Sequence, residues 1–122
     1  MQITTNKSLN EAAENDVIIT DEMKRKYPEL KNVNMIQKVP YTREVHWNTA
    51  MKYAKDLKLA GYSDWRLPNV YEASRIAKIF GKEMKLTWRY WTSTERGAYC
   101  VTKDGNIYYG ITSTIGYCFC VR

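Results

Sequence analysis

From residue 45 onward the apolar residues of this chain keep helical spacing through two segments, then switch after residue 86 to every second position. That change of period is the tightest constraint on the fold. Between Val45 and Leu59, the residues Trp47, Ala50, Met51, Ala54 and Leu57 recur mostly at steps of three and four. Such spacing lines one face of a helix. Gly61 follows where a C′ glycine is expected. A second helix is predicted after Pro68, with Asn69 as N-cap and Glu72 at N3 to complete a capping box. Its stripe is Val70, Ala73, Ile76, Ala77 and Phe80, and Gly81 closes it. Both stripes read as core.

The second period predicts strands. Tyr90-Trp91-Thr92-Ser93 is one. Tyr99–Thr102 and Ile107–Tyr109 flank Asp104-Gly105, a type I′ hairpin signal. Tyr117–Arg122 reads as a closing strand, with Tyr117, Phe119 and Val121 on one face and Cys118, Cys120 and Arg122 on the other. Helices followed by antiparallel strands make an α+β fold, two helices packed on a twisted antiparallel sheet. The N-terminal part is less regular. Ser8 and Glu11 suggest a short helix over 9–15, and Val17-Ile18-Ile19 a brief strand. Thr20 is placed to cap a helix from Asp21 to about Tyr27, which Pro28 stops. Residues 29–44 read as loop with one strand at 34–39.

A length of 122 residues bounds the chain to one core. Residues 1–44 are read as an N-terminal extension, serving as oligomer contact or lid, and 45–122 as the domain proper. The net charge of +6 is lodged unevenly. The first forty residues balance six basic against six acidic side chains, so the surplus lies beyond them, with fifteen of the sixteen aromatics. A basic, aromatic surface suits anionic partners. Solubility with a Tyr-rich core accounts for the same numbers. No apolar stretch is long enough to cross a membrane, and the polar N-terminus has no secretory h-region. A cytoplasmic location is therefore expected, in the host's cytoplasm if the chain is phage-encoded. Three cysteines late in the chain and a single His make neither a disulfide framework nor a zinc set.

The run His46-Trp47…Ala50-Met51-Lys52-Tyr53-Ala54…Leu57, continuing into Leu59-Ala60-Gly61-Tyr62-Ser63-Asp64-Trp65-Arg66-Leu67-Pro68-Asn69, resembles the Lcl C-terminal domain family of bacteria and phages. Tyr90-Trp91-Thr92-Ser93-Thr94 and the final Phe119-Cys120-Val121-Arg122 fit the same pattern in the same order, so the resemblance covers about 45–122. It implies a C-type-lectin-like fold. In that family Asp64-Trp65-Arg66-Leu67-Pro68 would be structural: Trp65 a core anchor, Asp64 and Arg66 satisfying loop amides or pairing, Pro68 launching the helix. The family's first helix often has Cys where this chain has Ala54. The resemblance thus implies that the helix-to-strand bridge which would use Cys120 is not made, and that the thiols are free. In overall sequence the chain is also similar to the phage Thoeris anti-defence proteins, which sequester cyclic ADP-ribose signals.

No catalytic constellation emerges from the residues. His46 stands beside Trp47 at a helix start, and neither a Ser-His-Asp nor a Cys-His-Asn set can be singled out. A phosphate loop, clustered metal carboxylates and calcium-lectin sugar loops are all missing. We therefore expect no enzyme, no cofactor and no metal. A binding site is easier to place. Residues 86–96 gather two Trp, one Tyr, two Arg and four hydroxyl side chains. Aromatic faces stack on bases or sugars, and guanidinium forks match phosphates. The candidate ligand residues are Trp88, Arg89, Thr92, Ser93 and Arg96, with Tyr108, Tyr109 and the terminal Arg122. The expected partner is a small anionic, nucleotide-like ligand held by a homo-oligomer, with no sequence-specific reading of nucleic acid and no membrane. The alternative is an adhesive or receptor-binding module that recognises anionic polysaccharide. A regulator occupying the surface of a nucleic-acid-binding partner is a third option.

Overall fold

The computed structural model describes residues 16–94, 99–109 and 115–122. In chain order the elements are β1 (Val17–Ile18), α1 (Asp21–Lys26), a 3-10 turn (Pro28–Leu30), β2 (Met35–Ile36), α2 (Trp47–Asp56) and α3 (Val70–Phe80). Strands β3 (Arg89–Trp91), β4 (Tyr99–Thr102) and β5 (Ile107–Tyr109) complete the order. β1 pairs with β2, and β3-β4-β5 form a second antiparallel sheet. The fold is α+β.

Local sequence explains the helices. Thr20 accepts the Met23 amide and starts α1, whose first turn is acidic and last turn basic. Asn69 and Glu72 make the reciprocal capping box of α3: the Asn69 side chain takes the Glu72 amide and the Glu72 side chain takes the Asn69 amide, both at 2.8 Å. α2 starts at His46, which makes no side-chain cap. Its end differs from the expectation. α2 stops at Asp56, and Gly61 is not its C′ residue. Ala60 and Gly61 both have positive φ and form the two-residue turn by which Leu59 and Tyr62 exchange hydrogen bonds. The β4–β5 turn also differs. Asp104 does not have positive φ, so the expected type I′ turn is replaced by a three-residue loop, Lys103–Gly105, with left-handed Gly105 and Thr102 N–H donating to Asn106 C=O.

The predicted closing strand is where the layers meet. Residues 116–122 form isolated bridges instead of a ladder, their sides held in turn by the short strands β2 and β3 and by irregular segments. Tyr41 and Gln37 donate amides to the carbonyls of Cys118 and Cys120. Arg66 and Val121 exchange amide bonds, and Trp91 donates to Tyr117 C=O. The expected alternation holds. Phe119 and Val121 join one core cluster with Ile36, Tyr90, Val101 and the buried face of α3. Cys118 and Cys120 join another with Met35, Trp65, Trp91, Cys100 and Ala50 and Ala54 of α2. The two helices thus cover opposite faces of one strand layer.

Residues 17–44 belong to this packing. Ile19, Leu30, Val33 and Ile36 are core residues, and Ile36 bridges Val121. The boundary expected at 44/45 therefore divides no core. The predicted helix over 9–15 lies outside the described residues.

A polar strut ties the layers together. Arg66 forks onto Glu72, at 2.8 and 2.9 Å, and also donates to Asn32 C=O. The Glu72 side chain is 2% exposed and also serves as the capping carboxylate. Removing it strands a half-buried guanidinium and leaves the Asn69 amide unpaired. Glu72→Ala is expected to lose about 2–4 kcal/mol of stability, measured as the shift in a urea unfolding curve.

Arg122 makes a second strut. Its guanidinium donates to both Asp64 oxygens, at 2.6 and 3.1 Å, and lies 3.6 Å from the centroid of the Tyr62 ring. The guanidinium holds the Asp64 carboxyl below its ordinary value of 3.8. A depressed carboxylate contributes stability at higher pH and loses it as pH falls through the folded pKa. In a melting series below pH 3.8, wild type is therefore expected to lose stability more steeply than Asp64→Asn.

Candidate functional site

The sequence-predicted residues divide by what the fold already asks of them. Thr92 is fully buried; its hydroxyl donates to Tyr99 C=O and its carbonyl accepts the Trp47 indole N–H. The Ser93 amide donates to Pro68 C=O at 2.9 Å, and its hydroxyl reaches the same oxygen at 3.4 Å. Arg122 is spent on Asp64 and Tyr62, and its backbone pairs with Met35. The polar groups of these three are engaged within the protein. Arg96 lies outside the described residues.

Trp88 and Arg89 do come together on the surface. The Trp88 side chain is 55% exposed, and the Arg89 guanidinium sits 5.6 Å from its ring centroid. Arg89 is steadied by its Nε donating to Ile115 C=O at 2.8 Å. Pairing across the sheet places Arg89 beside Thr102, and Trp91 beside Cys100 and Tyr108, so these five share one face. Trp91 and Cys100 are buried there, while Tyr108 is exposed. Tyr109 is on the opposite face, its ring edge-on to Tyr99 with centroids 5.6 Å apart. Tyr108 and Tyr109 thus stand on the far strand of the sheet from Trp88, not in one cluster with it.

Two concave sites had no signal in sequence. One, of about 320 Å³, is lined by Gly81, Lys82, Lys85, Leu86, Lys103 and Asp104, where the turn after α3 meets the β4–β5 turn. Lys103 N–H donates to Trp88 C=O at 3.2 Å, so this cavity adjoins the Trp88 backbone. The other, of about 370 Å³, is an open cleft lined by Tyr41, Thr49, Lys52, Tyr53, Asp56, Leu57 and Lys58. Its aromatic wall is Tyr41 stacked on Tyr53, at 4.2 Å between centroids. Gln37 orients Tyr53 by donating to its hydroxyl, while its own oxygen takes the Cys120 amide.

The cysteines are placed unfavourably for thiolate chemistry. Cys100, Cys118 and Cys120 are free and buried. Burial pushes the Cys118 thiol up to about 12 and raises Cys120 as well; it also raises Cys100, against the lowering pull of Arg89. A thiol so placed carries almost no thiolate near neutrality. Among the described residues, no group of three or more His, Cys, Asp or Glu side chains is gathered to hold a metal ion, and no helix is long and apolar enough to cross a membrane. With Ellman's reagent at pH 8, the folded protein is expected to show no fast-reacting thiol, and three after unfolding in guanidinium.

The family model described as the Lcl C-terminal domain matches residues 20–122. The match starts earlier than the motifs at 45, in keeping with the packing of residues 17–44 into the core. Comparison with curated proteins and with solved structures gives no match.

Proposed function

The chain belongs to the Lcl C-terminal domain family, and from that premise we propose a non-catalytic ligand-binding module for a small anionic, nucleotide-like ligand. The observation that carries the reading is the Trp88–Arg89 pair. It offers an exposed indole face beside a guanidinium, and the three-lysine cavity adjoins it. An aromatic face takes a base, and cations take its phosphates. A C-type-lectin-like form of the α+β fold is part of the proposal, supported by the family and by helices preceding the antiparallel strands. So is a cytoplasmic location, which the free, buried thiols favour. Homo-oligomer formation is supported by the exposed edge strand β5, with Ile107, Tyr108 and Tyr109 all open. The finer reading, capture of a cyclic ADP-ribose-class signal to block a defence response, draws on the overall likeness to Thoeris anti-defence proteins.

A thermal-shift panel of cyclic and linear nucleotides tests the proposal. A ligand at a hundredfold excess over Kd adds about 2.7 kcal/mol and moves the melting temperature visibly. Trp88→Ala is expected to lose that shift while melting unchanged without ligand, since the side chain is largely exposed. No shift with any nucleotide sinks the reading. If heparin instead binds, and releases as salt rises, the basic surface belongs to a polysaccharide.

A further inference from the structure

We infer that the cavity between the turn after α3 and the β4–β5 turn is a binding site for a phosphate chain, the diphosphate of a small ligand. The inference deepens the nucleotide-like reading and rests on it for the remainder of the ligand.

Three lysines, Lys82, Lys85 and Lys103, line the cavity against one acidic residue, Asp104. Among the described residues none of the three lysines makes an ion pair. Like charges around one space repel, and a multiply charged anion relieves that repulsion more fully than a single carboxylate. Lysine ammoniums are point charges on flexible stems, which suits a polyanion with oxygens facing several ways.

The backbone shows how the lysines are brought together. The amides of Lys85 and Leu86 donate to the carbonyls of Lys82 and Gly81, at 3.1 and 2.9 Å. This pair of reversed bonds ends a helical turn and calls for a left-handed residue, ordinarily glycine. Here that residue is Lys85, with φ +56°. A side chain with a β-carbon is disfavoured in that conformation, so backbone geometry alone does not account for the lysine. Gly81 brings in the third cation. A β-carbon there would meet the Ala77 carbonyl of α3 and would lie 2.7 Å from the Lys103 carbonyl oxygen, so its absence serves the helix end and also lets the turn approach the hairpin. Lysines after α3 also complement the negative end of the helix dipole. That role does not extend to Lys103, which comes from a different element and lines the same cavity.

Inorganic pyrophosphate is the probe, because it has no base and so reads the cavity apart from Trp88. Calorimetry on the full chain is expected to show saturable binding, weakened at least tenfold in Lys82→Gln/Lys103→Gln. Lys55→Gln, a charge removed from the exposed side of α2, is expected to leave it unchanged. Lys85→Gly is expected to raise the melting temperature while weakening pyrophosphate binding, which separates the site from the fold. Equal affinity in wild type and the lysine variants overturns the site, as does no binding at millimolar pyrophosphate. If ADP binding depends on Trp88 but not on these lysines, the nucleotide reading stands and this site falls. If pyrophosphate depends on the lysines while ADP ignores Trp88, the site stands and the nucleotide reading falls.

Discussion

The segment from Gly116 to Arg122 is the constraint on which the other elements depend. Its amides and carbonyls are taken on one side by Met35, Gln37, Tyr41 and Val45, and on the other by Arg66, Arg89 and Trp91. Its side chains leave alternately to the two cores. The extended backbone makes that possible, because a period of two sends neighbouring residues to opposite faces. Shifting this segment by one residue would bring cysteines to the α3 face and Phe119 to the α2 face, reversing both cores at once. Register is therefore set by volume as much as by hydrogen bonds. Phe119 and Val121 fill space among Ile36, Ile76 and Tyr90, where a cysteine would leave a void.

The same segment explains why much of the chain's polar chemistry is structural. A strand held by irregular loops leaves more backbone groups to satisfy than a strand inside a sheet. Side chains supply the difference. Gln37 spans the Cys120 amide and the Tyr53 hydroxyl, the Trp91 indole reaches Val45 C=O, and the Trp65 indole reaches Leu59 C=O. Asp64 and Arg66 meet Arg122 and Glu72, each joining the 59–72 stretch to itself or to the closing segment. The Asp-Trp-Arg-Leu-Pro run thus acts as a bracket in which every residue has a partner or a buried place. Thr92, Ser93 and Arg122 are engaged in the fold in the same way.

Local signals in the sequence were readable to the residue, and contacts between distant segments were not. The Asn69–Glu72 capping box and the Thr20 cap involve residues three apart, so sequence spacing contains the whole interaction. The alternation from Tyr117 to Val121 is likewise local. What those elements pair with is not. Nothing in residues 29–44 announces that Ile36 and Tyr41 will flank the closing segment, since their partners lie more than seventy positions away. The Gly61 and Asp104-Gly105 readings missed on a finer point: a glycine signals a left-handed residue but does not fix how many residues the turn contains. The pairing of Trp88 with Arg89 was legible because they are adjacent in sequence and lie at the start of a strand. The lysine cavity was not, because its lining comes from two turns distant in sequence, which meet where Gly81 packs against the Lys103 carbonyl.

The bare α-carbon of Gly81 and the left-handed Lys85 bear on how the charge surplus is used. A basic residue standing singly on the surface interacts weakly with its neighbours through water. Around the cavity the situation is different, because two backbone features unfavourable to ordinary residues coincide. A glycine stands at the end of α3, where a β-carbon would meet both the Ala77 carbonyl of the helix itself and the Lys103 carbonyl of the hairpin; a lysine stands where the next turn ends in left-handed conformation and glycine would fit. At position 81 the helix end and the approach to Lys103 therefore ask for the same residue. At position 85 they do not: glycine would suit the local conformation and would remove one lysine from the cavity lining. Local backbone preference and the lining of the cavity pull in opposite directions there, and the residue present is the one that keeps the charge.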